Sequence, residues 1–178
     1  VSLEDLLGRD VVRLETEGIR KAIENKVVLI TGAGGSIGSE VCRQILTYSP
    51  GVIVLFENAE TPLYEIDYEL RKLCLENNLR THIDAVIGDV RNVEDLAQVF
   101  RQNEINTVFH CAAYKHVPMM ELHPEEAVKN NVLGTINVAN AARDAGVERF
   151  VMISTDKAVN PVNVMGATKR IAEIYIQN

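Results

Sequence analysis

The stretch Lys26-Val27-Val28-Leu29-Ile30-Thr31-Gly32-Ala33-Gly34-Gly35-Ser36-Ile37-Gly38 decides the fold. Val27 to Thr31 reads as a short apolar strand, the glycines as a turn, and Ser36 as the start of a helix. Gly32, Gly35 and Gly38 have the spacing of a dinucleotide-binding turn. Gly32 lets the chain leave the strand tightly, Gly35 lets a pyrophosphate approach the backbone, and Gly38 lets the helix pack on the sheet. Unpaired N–H groups at the helix start then face the anion, helped by the helix dipole.

The flanking sequence strengthens this reading. An amphipathic helix follows, with Ile37, Val41, Ile45 and Tyr48 on one face. A second apolar run, Val52 to Phe56, ends in Glu57. That acid lies about 20 residues past the last glycine, where a ribose-binding carboxylate is expected.

Bulk properties narrow the class. At 178 residues the chain is long enough for one domain with a real core. A formal net charge of −7 argues against nucleic acid as partner, since no basic stripe is available to neutralise phosphates. Cys42, Cys74 and Cys111 lack metal-ligand spacing and fit a reducing compartment, so no metal is expected. No apolar run approaches the ~20 residues that cross a bilayer, and no signal peptide precedes the first element. As written, the chain reads as soluble and cytoplasmic.

Residues 1–25 read as an N-terminal arm or linker. Leu3, Leu6 and Leu7 suggest one helical turn broken by Gly8, and Ile19 to Glu24 a second short helix. Residues 26–178 read as the Rossmann domain. After the second apolar run, Thr61-Pro62 opens a helix with Pro62 at its first position. Leu63, Ile66, Leu70 and Leu73 form its buried stripe, and Asn77-Asn78 ends it. His82 to Ile87 is the third strand. Asn92 caps the next helix, whose Val93, Leu96 and Phe100 face inward. Thr107 to Cys111 is the fourth strand. A long helix with Val128, Val132, Ile136 and Ala139 on one face follows, ended by Gly146. Arg149 to Ser154 is the fifth strand, and a last helix starts near Val164.

Strand and helix alternate, and the strands are almost continuously apolar. That pattern specifies an α/β fold, a doubly wound parallel sheet of at least five strands, with sites at the carboxyl ends of the strands. The pattern stops in mid-helix at Asn178, so the sequence is expected to be a piece of a longer protein without its C-terminal substrate lobe. Such a piece is expected to bind cofactor weakly and not to turn over.

Three loops converge on the cofactor by the strand-end rule: 31–38, 111–118 and 154–169. Met165 and Lys169 stand one turn apart on the same helix face. In short-chain dehydrogenase/reductases that spacing is Tyr-x-x-x-Lys, and here the tyrosine position holds methionine, which cannot ionise. Asp156-Lys157 supplies a carboxyl and an ammonium at a strand end. Such a pair can share proton traffic beside a nicotinamide, although on a bare surface it is an ordinary ion pair.

Four strings now carry a resemblance: Thr31-Gly-Ala-Gly-Gly-Ser-Ile-Gly38, Ala112-Ala-Tyr-Lys-His-Val-Pro118, Ser154-Thr-Asp-Lys-Ala-Val-Asn-Pro161 and Asn163-Val-Met-Gly-Ala-Thr-Lys-Arg170. The chain resembles the bacterial polysaccharide-biosynthesis nucleotide-sugar dehydratases, extended short-chain dehydrogenase/reductases acting on UDP-N-acetylglucosamine. Met165 resembles the long, membrane-anchored branch, and Leu6-Leu7-Gly8-Arg9 resembles the junction before its catalytic part. The resemblance implies an upstream membrane anchor, a place at the cytoplasmic face of the inner membrane, and a homo-oligomer paired through helices near 124–145 and from 164 onward.

The resemblance also implies a 4,6-dehydratase cycle on a UDP-N-acetyl-hexosamine. Asp156 is then the acid for the C6 hydroxyl, Lys157 the C5 base, Thr155 the group that orients the C4 oxygen, and Lys169 the holder of the nicotinamide ribose. Met165 leaves the acceptor of the C4 hydroxyl proton open. In the same reading Gly32, Gly35, Ser36, Ile37 and Gly38 meet the pyrophosphate, and Glu57 with Asn58 the adenosine ribose. Asp89 and Val90 flank adenine, though Asp89 also reads as a helix cap. Ala112, Ala113 and Tyr114 pass close to the cofactor. Lys115 and His116 face the substrate, although a lone histidine is equally a structural hydrogen-bonder. Asn131 bonds backbone near the substrate site. Met119 and Met120 read as packing. An acid at Glu57 with no adjacent Arg or Lys favours NAD, with NADP the other candidate. The alternatives are a nucleotide-sugar 4-epimerase or reductase, and a non-catalytic nucleotide-binding module.

Overall fold

The computed structural model describes residues 16–178. The readings on Leu3, Leu6, Leu7, Gly8 and Arg9 lie outside the described residues. The elements are α1 (Thr16–Ile23), β1 (Val27–Thr31), α2 (Ser36–Leu46), β2 (Val52–Glu57), α3 (Glu60–Glu76), β3 (His82–Ile87) and α4 (Val93–Gln102). They continue with β4 (Thr107–His110), α5 (Val117–Leu122), α6 (Pro124–Ala127), a π-helical segment (Val128–Leu133), α7 (Gly134–Asp144), β5 (Arg149–Met152), a 3₁₀ turn (Asp156–Ala158) and α8 (Val164–Gln177).

The five strands form one sheet in the order β3-β2-β1-β4-β5, and every pairing is parallel. The order reverses at β1, whose neighbours are β2 and β4. The expected doubly wound fold is therefore observed. Alternation along β1 and β2 sends Val28, Ile30, Ile53 and Leu55 to a core shared with Ile45, Leu63, Ile66 and Leu70 of α2 and α3. Leu29, Val54 and Phe56 go to the opposite core with Leu96 and Val99 of α4 and Val138 of α7. Both faces are covered, which is why the central strands are apolar throughout. Helix α1 packs on the first core through Ile23, which is 3% exposed.

Several local expectations are corrected. Helix α3 begins at Glu60, so Pro62 occupies its third position; a missing N–H costs nothing anywhere in the first turn. Val93 is 58% exposed, and Val99 takes its inward place. Ile37 also points outward at 53%, because it stands at the mouth of a cleft at the sheet's carboxyl edge. The long helix predicted after Pro118 is broken into α5, α6, the π segment and α7. The wide π turn rotates the buried stripe, so Asn130, Asn131, Val132, Thr135 and Val138 go inside while Val128 is exposed.

Candidate functional site

The carboxyl ends of β1, β4 and β5 open onto three adjoining clefts of about 230, 370 and 330 Å³. Cys111, Ala113 and Tyr114 line all three, so together they form one trough. Its first section is walled by Gly32, Gly35, Glu57, Asn58, Val90, Ala112, Ala113 and Tyr114, with Phe56 and Asn130 among the others. The middle section takes Ser36, Ile37, Gly38, Lys115 and His116. The last takes Thr155, Lys157, Met165 and Lys169, with Ile153 and Ser154. Asp89, Asn131 and Asp156 line none of them.

The glycine turn is built for close contact. Gly32 has φ +66°, and a Cβ there would stand 2.7 Å from the Ala112 backbone. A Cβ on Gly38 would stand 2.0 Å from the Gly32 oxygen, so α2 can begin only with glycine at that position. At Gly35 the sole neighbour within 4 Å is the Gly32 oxygen, at 3.3 Å; the remaining space is cleft. Gly35 provides no side-chain cap, and among the described residues the Ser36 and Ile37 N–H groups have no acceptor. The positive end of α2 therefore faces the trough with free donors, which fits the diphosphate of a dinucleotide.

Glu57 ends β2 beside this turn. Its Oε2 accepts from Gly34 N at 3.1 Å, and its Oε1 accepts from Asn58 N at 2.9 Å and Ala59 N at 3.1 Å. The carboxylate thus ties the turn to the start of α3 while standing in the cleft wall. No cation stands next to it in the sequence, and Arg91, beyond β3, lines no section of the trough. Arg91 is spent on both oxygens of Asp89 and on Glu126. That pairing, foremost the Arg91 hydrogen bonds, holds Asp89 below the usual carboxylate range. Asn92, not Asp89, caps α4, accepting from Glu94 N.

Behind the trough lies a buried polar chain that sequence reasoning missed. His110 is 0% exposed. Its Nδ1 is 2.7 Å from Thr31 Oγ1, and its Nε2 is 2.9 Å from Thr135 Oγ1. Thr135 spends its proton on the Asn131 carbonyl at 2.7 Å, so Nε2–H donates to Thr135 and Nδ1 accepts from Thr31. Burial pushes the imidazole down to about 3, and the nearby Lys169 charge adds to this, leaving the ring neutral. Asn131 continues the chain: its Oδ1 accepts from Tyr114 N at 2.8 Å, and its Nδ2 donates to Tyr114 O at 3.0 Å and Thr168 Oγ1 at 3.1 Å. As expected, Asn131 bonds backbone beside the site: it is 1% exposed, lines no section of the trough itself, and its amide clamps Tyr114.

The last section brings β5 and α8 together. Asn163 caps α8 by accepting from Gly166 N at 2.7 Å, and Glu121 Oε1 accepts from Val164 N at 2.7 Å. This sets Met165, 3% exposed, against Met120 and Tyr114. Met119 and Met120, read as packing, both wall the middle section. Lys169 is 5% exposed, and its Nζ donates to Ile153 O at 2.6 Å. Burial lowers its pKa, opposed by Cys111 and Glu173. Cys111, read from sequence only as a sign of compartment, lies beside it with a thiol raised to about 11 by burial.

The Asp156–Lys157 couple is only half inside. Lys157 lines the trough, and its Nζ is 3.3 Å from Asp156 Oδ1. The Asp156 side chain is 86% exposed. Hydrogen bonds from Thr155 and Lys157 hold it below the usual carboxylate range. The carboxyl expected beside the nicotinamide therefore faces solvent here as an ionised group.

The model of a family described as "Polysaccharide biosynthesis protein" matches residues 28–178. The Staphylococcus aureus capsular polysaccharide biosynthesis protein CapD is 51% identical over 178 residues, covering 100% of this chain and 29% of that protein. A Campylobacter jejuni UDP-N-acetylglucosamine 4,6-dehydratase (inverting) is 38% identical over 145 residues, covering 81% of this chain and 40% of that one. The Bordetella bronchiseptica enzyme WbmG, solved in complex with NAD and UDP, superposes with a TM-score of 0.68 at 25% identity, covering 84% of this chain and 48% of that one. The chain thus spans less than half the length of each.

Proposed function

This chain belongs to the polysaccharide biosynthesis protein family, and on that premise we propose that the whole protein is an NAD-dependent 4,6-dehydratase of a UDP-N-acetyl-hexosamine. The observation that carries the reading is the third section of the trough, where Thr155 and Lys157 share a wall with Lys169. Bound along the trough, the nicotinamide cofactor supplies a reversible hydride acceptor. The N–H groups of Ser36 and Ile37 hold its diphosphate. Glu57 takes the adenosine ribose hydroxyls, and its charge disfavours a 2′-phosphate, which supports NAD over NADP. Lys169 holds the second ribose with the protons left over from Ile153 O.

On the substrate, Thr155 orients the C4 oxygen. Lys157 removes the C5 proton, made acidic by a C4 ketone, and Asp156 protonates the departing C6 hydroxyl. An ionised, exposed Asp156 cannot donate a proton and an ammonium cannot accept one; both roles require that the proton pass from the Lys157 ammonium to the Asp156 carboxylate it pairs with, once bound sugar and the remainder of the full-length protein exclude water from the couple. The same exposure favours a second reading, a nucleotide-sugar 4-epimerase, in which Asp156 and Lys157 are spare. Incubating the full-length protein with UDP-N-acetylglucosamine distinguishes them. A product that has lost one water supports the dehydratase, and an isomer of unchanged mass supports the epimerase. The full-length protein is further proposed to pair with itself and to sit at the cytoplasmic face of a bacterial membrane. Among the described residues no helix is long and apolar enough to cross one.

A further inference from the structure

Glu173 has no part in the reading above, yet it is aimed at the same strand end as Lys169. It follows Lys169 by one helical turn on α8, and its side chain is only 20% exposed. Its Oε1 accepts from Ser154 Oγ at 2.5 Å, while Lys169 Nζ donates to the carbonyl of the preceding residue, Ile153, at 2.6 Å. The carboxylate and the ammonium therefore grip consecutive residues at the end of β5. Arg170 Nη1 donates to the other oxygen, Oε2, at 2.9 Å, which fixes the carboxylate in this orientation.

We propose that Glu173 is a positioning residue that fixes Ser154 at the mouth of β5 and, from there, favours the charged form of Lys169 on the neighbouring carbonyl. The inference rests on the assignment of Lys169 to the cofactor ribose. A lysine sunk into the trough wall loses hydration, and without compensation it tends to give up its proton. The groups around it are the Cys111 thiol and His110 from β4 and its loop, Lys157 from the 3₁₀ turn in the same wall, and Glu173 from its own helix, which is paired with Arg170. The thiol is kept protonated by burial and the imidazole is kept neutral. Glu173 is then the carboxylate one helical turn away whose charge favours the ammonium; among the described residues the two make no direct ion pair, and Glu173 acts on Lys169 through space. Its own pKa is lowered, first by the Ser154 hydrogen bond and next by Arg170. A charged Lys169 can donate to ribose hydroxyls with every proton left after Ile153; a neutral one has fewer donors and a lone pair turned to the site.

The test uses the full-length protein labelled with ¹³Cε-lysine, the Lys169 resonance being identified by its loss in Lys169→Met. In Glu173→Gln the Lys169 titration is expected to move down by about one unit, and the alkaline limb of kcat to move with it. Glu173→Asp, which keeps the charge, is expected to restore part of both shifts. An unmoved Lys169 titration in Glu173→Gln overturns the proposal. If Lys169→Met leaves cofactor affinity and turnover intact, the assignment of Lys169 fails instead, and the Glu173 titration result still stands or falls separately.

Discussion

Gly166 and Lys157 touch through backbone alone: a Cβ on Gly166 would stand 2.3 Å from the Lys157 carbonyl oxygen and 3.1 Å from its carbonyl carbon. Helix α8 can therefore seat itself on the 3₁₀ turn, and this seat sets Lys157 in the same wall as Lys169. Replacing Gly166 by alanine must push the turn or the helix away. We expect Gly166→Ala to cost about 1–3 kcal/mol of stability. In the full-length protein we expect turnover to fall by more than cofactor affinity, because the diphosphate cradle at α2 is untouched. Thermal unfolding, a cofactor titration and a turnover assay on one preparation check this; an equal loss in affinity and turnover would count against it.

His110 predicts a pH dependence with a definite sign. In the folded chain its pKa is pushed down from 6.5 to about 3, so on acidification the unfolded chain takes up the proton first. The stability this group contributes is complete above about pH 6.5 and is lost progressively toward pH 3. Between pH 7 and pH 5 the loss is about 2 kcal/mol. Urea unfolding at the two pH values measures it. His110→Gln, which cannot ionise, is expected to be less stable at pH 7 but to show a smaller drop between the two. An identical drop in both chains contradicts the buried neutral imidazole.

Asn131 clamps both backbone groups of Tyr114 with one amide. Asn131→Ala leaves that N–H and C=O without their partner, at a cost of about 2–4 kcal/mol. Because Tyr114 lines every section of the trough, cofactor affinity is expected to fall as well. Asn131→Asp keeps the acceptor for Tyr114 N–H and is expected to lose less affinity. Equal affinity in wild type and Asn131→Ala would show that Tyr114 holds its place without the clamp.

How far the site could be read from the sequence depended on how local its cause was. The glycine turn, Glu57 at the end of β2 and the Asn92 cap are set by neighbours in the chain. Spacing and residue type were therefore enough to find them. The π segment was not legible, since Val128, Val132, Ile136 and Ala139 fit an ordinary helix; only tertiary packing turns Asn130 and Asn131 inward instead. His110 and Cys111 were passed over although both stand at the end of β4, where the strand-end rule points. Their roles depend on Thr31, Thr135 and Lys169, which are remote in sequence. Lys157 was found by position, but the outward turn of Asp156 follows from solvent access, which residue type does not encode.

The most direct test of the central assignment is a reaction in deuterium oxide. The full-length protein is given UDP-N-acetylglucosamine, and the sugar nucleotide product is analysed by NMR and mass spectrometry. A base that removes the C5 proton and a later return of a solvent-derived one predict a 4-keto-6-deoxy product carrying deuterium at C5, absent with Lys157→Ala. A C4 epimer with no deuterium at C5, formed equally well by Lys157→Ala, would contradict the account.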